Sequence, residues 1–117
     1  MQILFILNDS PYGSERPYNG LRLANNLFKK NESVEVMLFL MGDAVSSAKA
    51  GQQTPNGYYN LERMLKVLIA RGGQVFLCGT CMDARAVREQ ELLDGCRRSS
   101  LDELTELTLA ADKVLVF

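Results

Sequence analysis

Apolar residues in this chain gather into short, nearly unbroken runs, and the stretches between them repeat at helical spacing. Ile3–Leu7 is wholly apolar, Val34–Met41 is broken only by Glu35, and Val75–Leu77 follows Arg71-Gly72-Gly73. Val114–Phe117 is the last such run. Short apolar runs bounded by turn-forming residues read as strands buried on both faces.

Between them, Leu21, Ala24 and Phe28, with Leu23 and Leu27, keep the spacing of one buried helical stripe. Ser14 is the expected N-cap of that helix, Pro17 falls in its first turn, and Lys29 and Lys30 suit its C-terminal end. Gly42-Asp43 turns the chain into a short helix over Ala44–Ala50, with Asp43 as its expected cap and Gly51 as its end. Gln52–Gly57 is polar and turn-rich. A further helix runs from about Leu61 to Arg71, capped by Asn60 and closed by Gly72 in a left-handed conformation, with Leu61, Met64, Leu65 and Leu68 on one face. Met82–Arg88 has helical composition. In the less legible segment Arg85–Arg98, Leu92 and Leu93 are expected to be buried and Asp94-Gly95 to turn. Cys96 lies either on a very short fourth strand or in a loop. Ser100-Leu101-Asp102-Glu103 has the form of a capping box, so a helix starting at Leu101 should bury Leu104, Leu107 and Ala111.

Strands alternating with helices predict an α/β fold, a parallel sheet covered by helices on both faces. The 117 residues suit a single domain spanning 1–117. Ligands of such sheets gather at the carboxyl ends of the strands, where Asn8–Ser14, Gly42–Val45 and Cys78–Asp83 fall. Strand order is not encoded in the pattern.

Composition narrows the chemistry. With 13 basic and 14 acidic side chains mixed along the chain, there is no basic excess to favour nucleic acid as a partner. The longest apolar run, the six residues Val36–Met41, is far short of a membrane span. Met1-Gln2 leads straight into the first strand without a basic leader, so a cytoplasmic protein is expected. The absence of histidine excludes a Ser-His-Asp triad, a Cys-His dyad and any His-ligated metal within the chain. Three cysteines are too few for an all-cysteine zinc site and too odd in number for a disulfide scaffold. Neither a metal nor a cofactor is expected.

The strongest chemical signal is Cys78-Gly79-Thr80-Cys81. A thiol at the end of a strand, facing the first turn of a helix, meets unpaired N–H groups that stabilise its anion. The competing reading is two small buried hydrophobes. A thioredoxin-type dithiol is a third, but its motif relies on a later proline, and Pro11, Pro17 and Pro55 all precede Cys78. Asn8–Gly13 precedes a helix and is a candidate anion loop, although it lacks dinucleotide or P-loop glycine spacing. Asp9 and Asp43 are candidate acids at the same edge. Arg85 and Arg88 can hold a thiolate or a partner's carboxylate, or form a solvated face with Glu89 and Glu91.

Asn8–Glu15, Leu38–Val45, Gly57-Tyr58-Tyr59-Asn60, Leu77–Cys81 and Ala111–Phe117 together make the chain resemble the DsrE/DsrF-like family, in particular its small YchN-like branch. The resemblance runs end to end. It implies a three-layer α/β/α sandwich with a five-stranded, mostly parallel sheet, and a homo-oligomer of three or six copies. In the relay members of the family, a cysteine near a strand end carries sulfur as a persulfide, and Cys78 matches that position. The leading expectation is therefore a sulfur-relay or sulfurtransferase-like protein. Cys78 and Cys81 carry its chemistry, and Asn8, Asp9, Ser10, Tyr12, Gly13, Asp43, Gly79 and Thr80 are the candidate ligand contacts. Its expected partners are a sulfur donor and a sulfur acceptor protein. The alternatives are a non-catalytic oligomeric binding protein and a CxxC dithiol redox protein. Tyr12, Tyr58, Tyr59 and Met82 are the expected contacts between subunits, with Cys78 near the boundary.

Overall fold

The computed structural model describes residues 1–55 and 59–117. Strands β1 (Gln2–Leu7), β2 (Glu35–Leu40), β3 (Gln74–Cys78), β4 (Cys96–Ser99) and β5 (Lys113–Val116) form one sheet in the order β4-β3-β2-β1-β5. Every pairing is parallel. Helices α1 (Arg16–Lys30) and α2 (Leu61–Ala70) lie on one face, the short α3 (Gly79–Ala84) follows β3 at the carboxyl edge, and α4 (Leu101–Ala110) lies on the other face. The chain steps outward from β1 to β4 and then returns to place β5 beside β1, so the order reverses between those two strands.

The strand alternation explains both layers. Phe5, Leu38 and Leu77 point to the face where Leu21 and Ala24 of α1 meet Leu61, Leu65 and Leu68 of α2. Leu4, Met37, Phe39, Phe76 and Cys78 point to the opposite face, where Leu104 packs on them. Each such side chain withdrawn from water stabilises the fold by roughly 1.5–3 kcal/mol. The two faces are covered unequally. With α4 the one helix on the second face among the described residues, Val114 and Val116 of β5 remain 38% and 64% exposed.

Folding also sorts the charges that are mixed in sequence. Helices α1 and α2 together carry six basic side chains against Glu62 alone, whereas α4 carries Asp102, Glu103 and Glu106 and no base.

Several local expectations are corrected. The N-cap position of α1 is Glu15, not Ser14, whose hydroxyl is donated to Asp9 across the loop. Leu23 lies off the buried stripe and is 39% exposed. The segment after β2 is a 3-10 helix over Gly42–Ala48 with Met41 at its cap position, so Asp43 caps nothing. Leu92 is half-buried, held in an isolated bridge to Lys49, while Leu93 is buried. Cys96 does begin a fourth strand. As expected, Asn60 Oδ1 accepts from the Arg63 N–H at 3.1 Å, Gly72 adopts φ +95°, and Ser100 caps α4. Glu103 does not reach back to the cap but bonds Arg97 and Ser99 instead.

Candidate functional site

Cys78 ends β3 in an extended conformation and is itself the N-cap residue of α3, which starts at once with Gly79. The helix therefore runs over Gly79–Ala84 rather than the expected Met82–Arg88, and it stops where Ala86 takes φ +54°. Starting there matters, because it places Thr80 and Cys81 in the first turn, above the Cys78 sulfur. Thr80 Oγ1 lies 3.2 Å from Cys78 Sγ. Cys78 is only 6% exposed, and Cys81 is half-buried between both core layers.

This surrounding makes the two thiols unequal. For Cys78, burial pushes the thiol pKa up, but the Cys81 thiol and the Thr80 hydroxyl outweigh it. The N–H groups of Cys81 and Thr80 add to them, turning toward the sulfur without closing a full capping bond, and the net shift is downward. Cys81 moves the other way: burial and donation to Cys78 raise it, against a lowering contribution from the Gly42 N–H. Of the two, Cys78 is thus the thiol that gives up its proton more readily. Cys96 is different again, pushed up to about 12 by burial alone. It stays a protonated, apolar filler.

Two arginines bracket α3. Arg98 of β4 makes a forked ion pair with Asp83 at 2.8 and 2.9 Å. It lies so close over Gly79 that a Cβ there would sit 2.8 Å from its Cζ. On the other flank Arg85 Nε donates to Asp43 Oδ1 at 2.7 Å, and its Nη1 donates to the Cys81 carbonyl at 3.1 Å. Arg85 is thus no free solvated face with Glu89 and Glu91, and sequence spacing gave no signal for Arg98 or Asp83, which meet only through the β3–β4 pairing.

The other candidate ligand contacts divide into two groups. Near the cysteines are Gly79, Thr80, Asp43 and the backbone of Asn8, whose carbonyl would lie 3.2 Å from a Cβ on Gly42. Asn8 and Asp9 also line a crevice of about 450 Å³ with Arg16, Val116 and Phe117. That crevice stands where the strand order reverses, the customary ligand position of an open parallel sheet. Ser10, Tyr12 and Gly13 serve the loop itself: the Ser10 carbonyl accepts from Gly13 N–H at 3.4 Å, and the Tyr12 hydroxyl bonds Gln52 and accepts from Leu61 N–H. A groove of about 590 Å³ between α1 and α2 is on the far side of the sheet from Cys78 and is lined by none of these residues.

Of the expected subunit contacts, Met82 is fully buried in the core and unavailable. Tyr59 packs its ring against Tyr18 at 4.3 Å and donates to Glu15. Tyr58 lies outside the described residues. Among the described residues no cluster of acids and cysteines has the makings of a metal site, and no helix is long and apolar enough to cross a membrane.

The sequence profile of the DsrE/DsrF-like family matches residues 1–117. The chain is 43% identical to Protein YchN of Escherichia coli over 116 residues, covering 99% of this chain and 98% of that one. It is 34% identical to the uncharacterized protein MJ0989 of Methanocaldococcus jannaschii over the full length of both. The crystal structure of the E. coli ychN protein superposes with a TM-score of 0.94 at 44% identity, covering all of both chains. A protein of unknown function from Methanobacterium thermoautotrophicum, MTH1491, shares the fold with a TM-score of 0.82 at 14% identity, over 99% of this chain and 98% of that one.

Proposed function

We propose that this chain, which belongs to the DsrE/DsrF-like family, carries sulfane sulfur on Cys78 as a step in a sulfur relay. Family membership supports the general role. The observation that carries the residue assignment is the place of Cys78 as N-cap residue of α3, with Thr80 Oγ1 3.2 Å from its sulfur and Cys81 in the same first turn, an arrangement that lowers the Cys78 thiol and raises Cys81.

The chemistry follows from that setting. The Cys78 thiolate attacks the terminal sulfur of a donor persulfide, R–S–SH. The S–S bond breaks, the donor leaves as its thiol, and Cys78 Sγ keeps the transferred sulfur as a persulfide. Hydrogen bonds and N–H groups that favour the Cys78 thiolate take the place of a general base, which suits a chain without histidine. An acceptor thiolate then attacks that outer sulfur and regenerates Cys78. In the absence of an acceptor, Cys81 resolves the persulfide. Its sulfur attacks Cys78 Sγ, the outer sulfur leaves as HS⁻ with the proton from Cys81, and a Cys78–Cys81 disulfide remains.

The working unit is a homo-oligomer of three or six copies, with a second copy over the thinly covered sheet face. Val114 and Val116 share that face with Cys78, as their register partners Leu4 and Ile6 show. Leu101, which begins α4 two residues after the register partner of Cys78, is 67% exposed at the opposite, β4 edge of the sheet. A second reading, a binding protein using the crevice between β1 and β5, draws on the position of Asn8, Asp9 and Arg16 at the reversal of strand order.

Mass spectrometry after incubation with a small persulfide donor tests the relay reading. One added sulfur on Cys78, absent in Cys78→Ser, is expected. An unmodified Cys78 beside a labelled control thiol would return the protein to the binding reading.

A further inference from the structure

We infer that Arg85, anchored by Asp43, is a positioning residue that holds Cys81 against Cys78 so that the second thiol closes on the first. The inference deepens the relay reading and rests on it for its biological meaning, but its geometry stands alone. Arg85 is the C-cap residue of α3 and reaches back along that helix. One nitrogen, Nε, is fixed on Asp43 at 2.7 Å, and Nη1 holds the Cys81 carbonyl at 3.1 Å. Asp43 belongs to a different element, the 3-10 helix after β2. The guanidinium therefore ties the residue bearing the second thiol to the neighbouring strand's carboxyl end.

What it ties there is specific. Gly42 adopts φ +54°, a left-handed conformation suited to glycine, and a Cβ on it would stand 3.9 Å from Arg85 Nη2 and 3.2 Å from the Asn8 carbonyl. The Gly42 amide lowers the Cys81 thiol, against the burial that raises it. Gly42 thus lies against the guanidinium that holds the Cys81 backbone, in the first turn of the helix that begins on Cys78. Arg98 does not share this task, since its fork is spent on Asp83 and it lies over Gly79. A planar fork that satisfies two acceptors at fixed spacing is a property of arginine that lysine lacks.

The consequence is kinetic. Closing two thiols into a disulfide is fast when the attacking sulfur is held near the bond it must break, and it slows when that thiol can wander. With an aromatic disulfide as oxidant, the Cys78 thiolate takes one aryl-thio group and releases one aryl thiolate. Cys81 then attacks Cys78 Sγ, the Cys78 disulfide closes, and a second aryl thiolate leaves while the Cys81 proton passes to solvent. Each equivalent is separately visible as absorbing thione.

The test uses the full chain with Cys96→Ser, and compares wild-type Arg85 with Arg85→Gln and Arg85→Lys. Arg85 should release two equivalents, the second close behind the first. Arg85→Gln should release the first at a rate within about twofold of the parent and the second about tenfold more slowly, the loss associated with one charge-assisted hydrogen bond. Arg85→Lys, which keeps the charge and the Asp43 attraction, should resemble Arg85→Gln in the second step while melting at the parent temperature. A second equivalent as fast in Arg85→Gln as in the parent overturns the inference, and so does a parent that stops at one equivalent. Equal slowing of both steps also overturns it, because that is the mark of general loosening of α3. No persulfide enters this assay, so a Cys78 that refuses sulfur while the second step still depends on Arg85 removes the relay reading and leaves the positioning role in place.

Discussion

Replacing Thr80 by valine is the sharpest probe of what lowers the Cys78 thiol. Valine preserves the branched shape in the first turn of α3 and removes the hydroxyl 3.2 Å from Cys78 Sγ. A hydrogen bond to an ionised acceptor contributes about 1.5 kcal/mol at the low end of its range, the appropriate end for sulfur. Where the thiol form dominates, that loss cuts the thiolate population about tenfold. The remaining thiolate is more basic and hence more reactive, and a Brønsted slope of about 0.45 returns roughly a factor of three. The first-equivalent rate with an aromatic disulfide should therefore fall about three- to fourfold at a pH below the thiol's midpoint. Above the midpoint the order should invert, the variant reacting up to about threefold faster, because only the greater nucleophilicity remains. Stopped-flow release of the first thione across the titration, with Cys96→Ser in both proteins, measures the whole profile. Thr80→Ser, which keeps the donor, should track the parent. Superimposable profiles for Thr80→Val and the parent, with both folded, would refute the part of this hydroxyl in lowering the thiol and leave that effect to the backbone N–H groups and Cys81.

Two further outcomes are expected. Val116→Asp places a charge on the exposed apolar strand beside the Cys78 face, so sedimentation equilibrium should show smaller assemblies than the parent; a parent that is itself monomeric at micromolar concentration sinks the oligomer proposal. Glu103 is held below the usual carboxylate range by the Arg97 hydrogen bond and then by Ser99, so its stabilising contribution is present at pH above about 4.5 and is lost as pH falls through its lowered folded value. The gap in urea midpoint between the parent and Glu103→Gln should accordingly be open at neutral pH and close in acid, and a gap independent of pH would contradict the pairing.

The sequence by itself determined the layers. Runs such as Ile3–Leu7 and Val36–Met41 have no polar face to offer water, so each strand had to be central and covered, and the helical stripes between them supplied the cover. Caps at Asn60 and Ser100, and the left-handed Gly72, were legible because they depend on residues within one turn of chain. Cys78 was legible for the same reason, as a thiol at a strand end before a helix. Tertiary structure decided everything that joins residues distant in sequence. The strand order put Arg98 over Gly79 and beside Asp83, fifteen residues away, and carried Asp43 to Arg85 across forty-two. Ser14 and Asp43 looked like caps, but folding brought stronger partners within reach: Ser14 donates to Asp9 while accepting only from the Arg16 N–H, and Asp43 pairs with Arg85. Met82, an exposed methionine by its neighbours, was drawn into the core once α3 began at Gly79 rather than later. Charges evenly mixed along the chain became a basic layer and an acidic one, because helices distant in sequence share a face only after the sheet forms. The inequality of Cys78 and Cys81 belongs to the same class: two identical side chains three residues apart differ because one accepts from the first turn of α3 and the other donates within it.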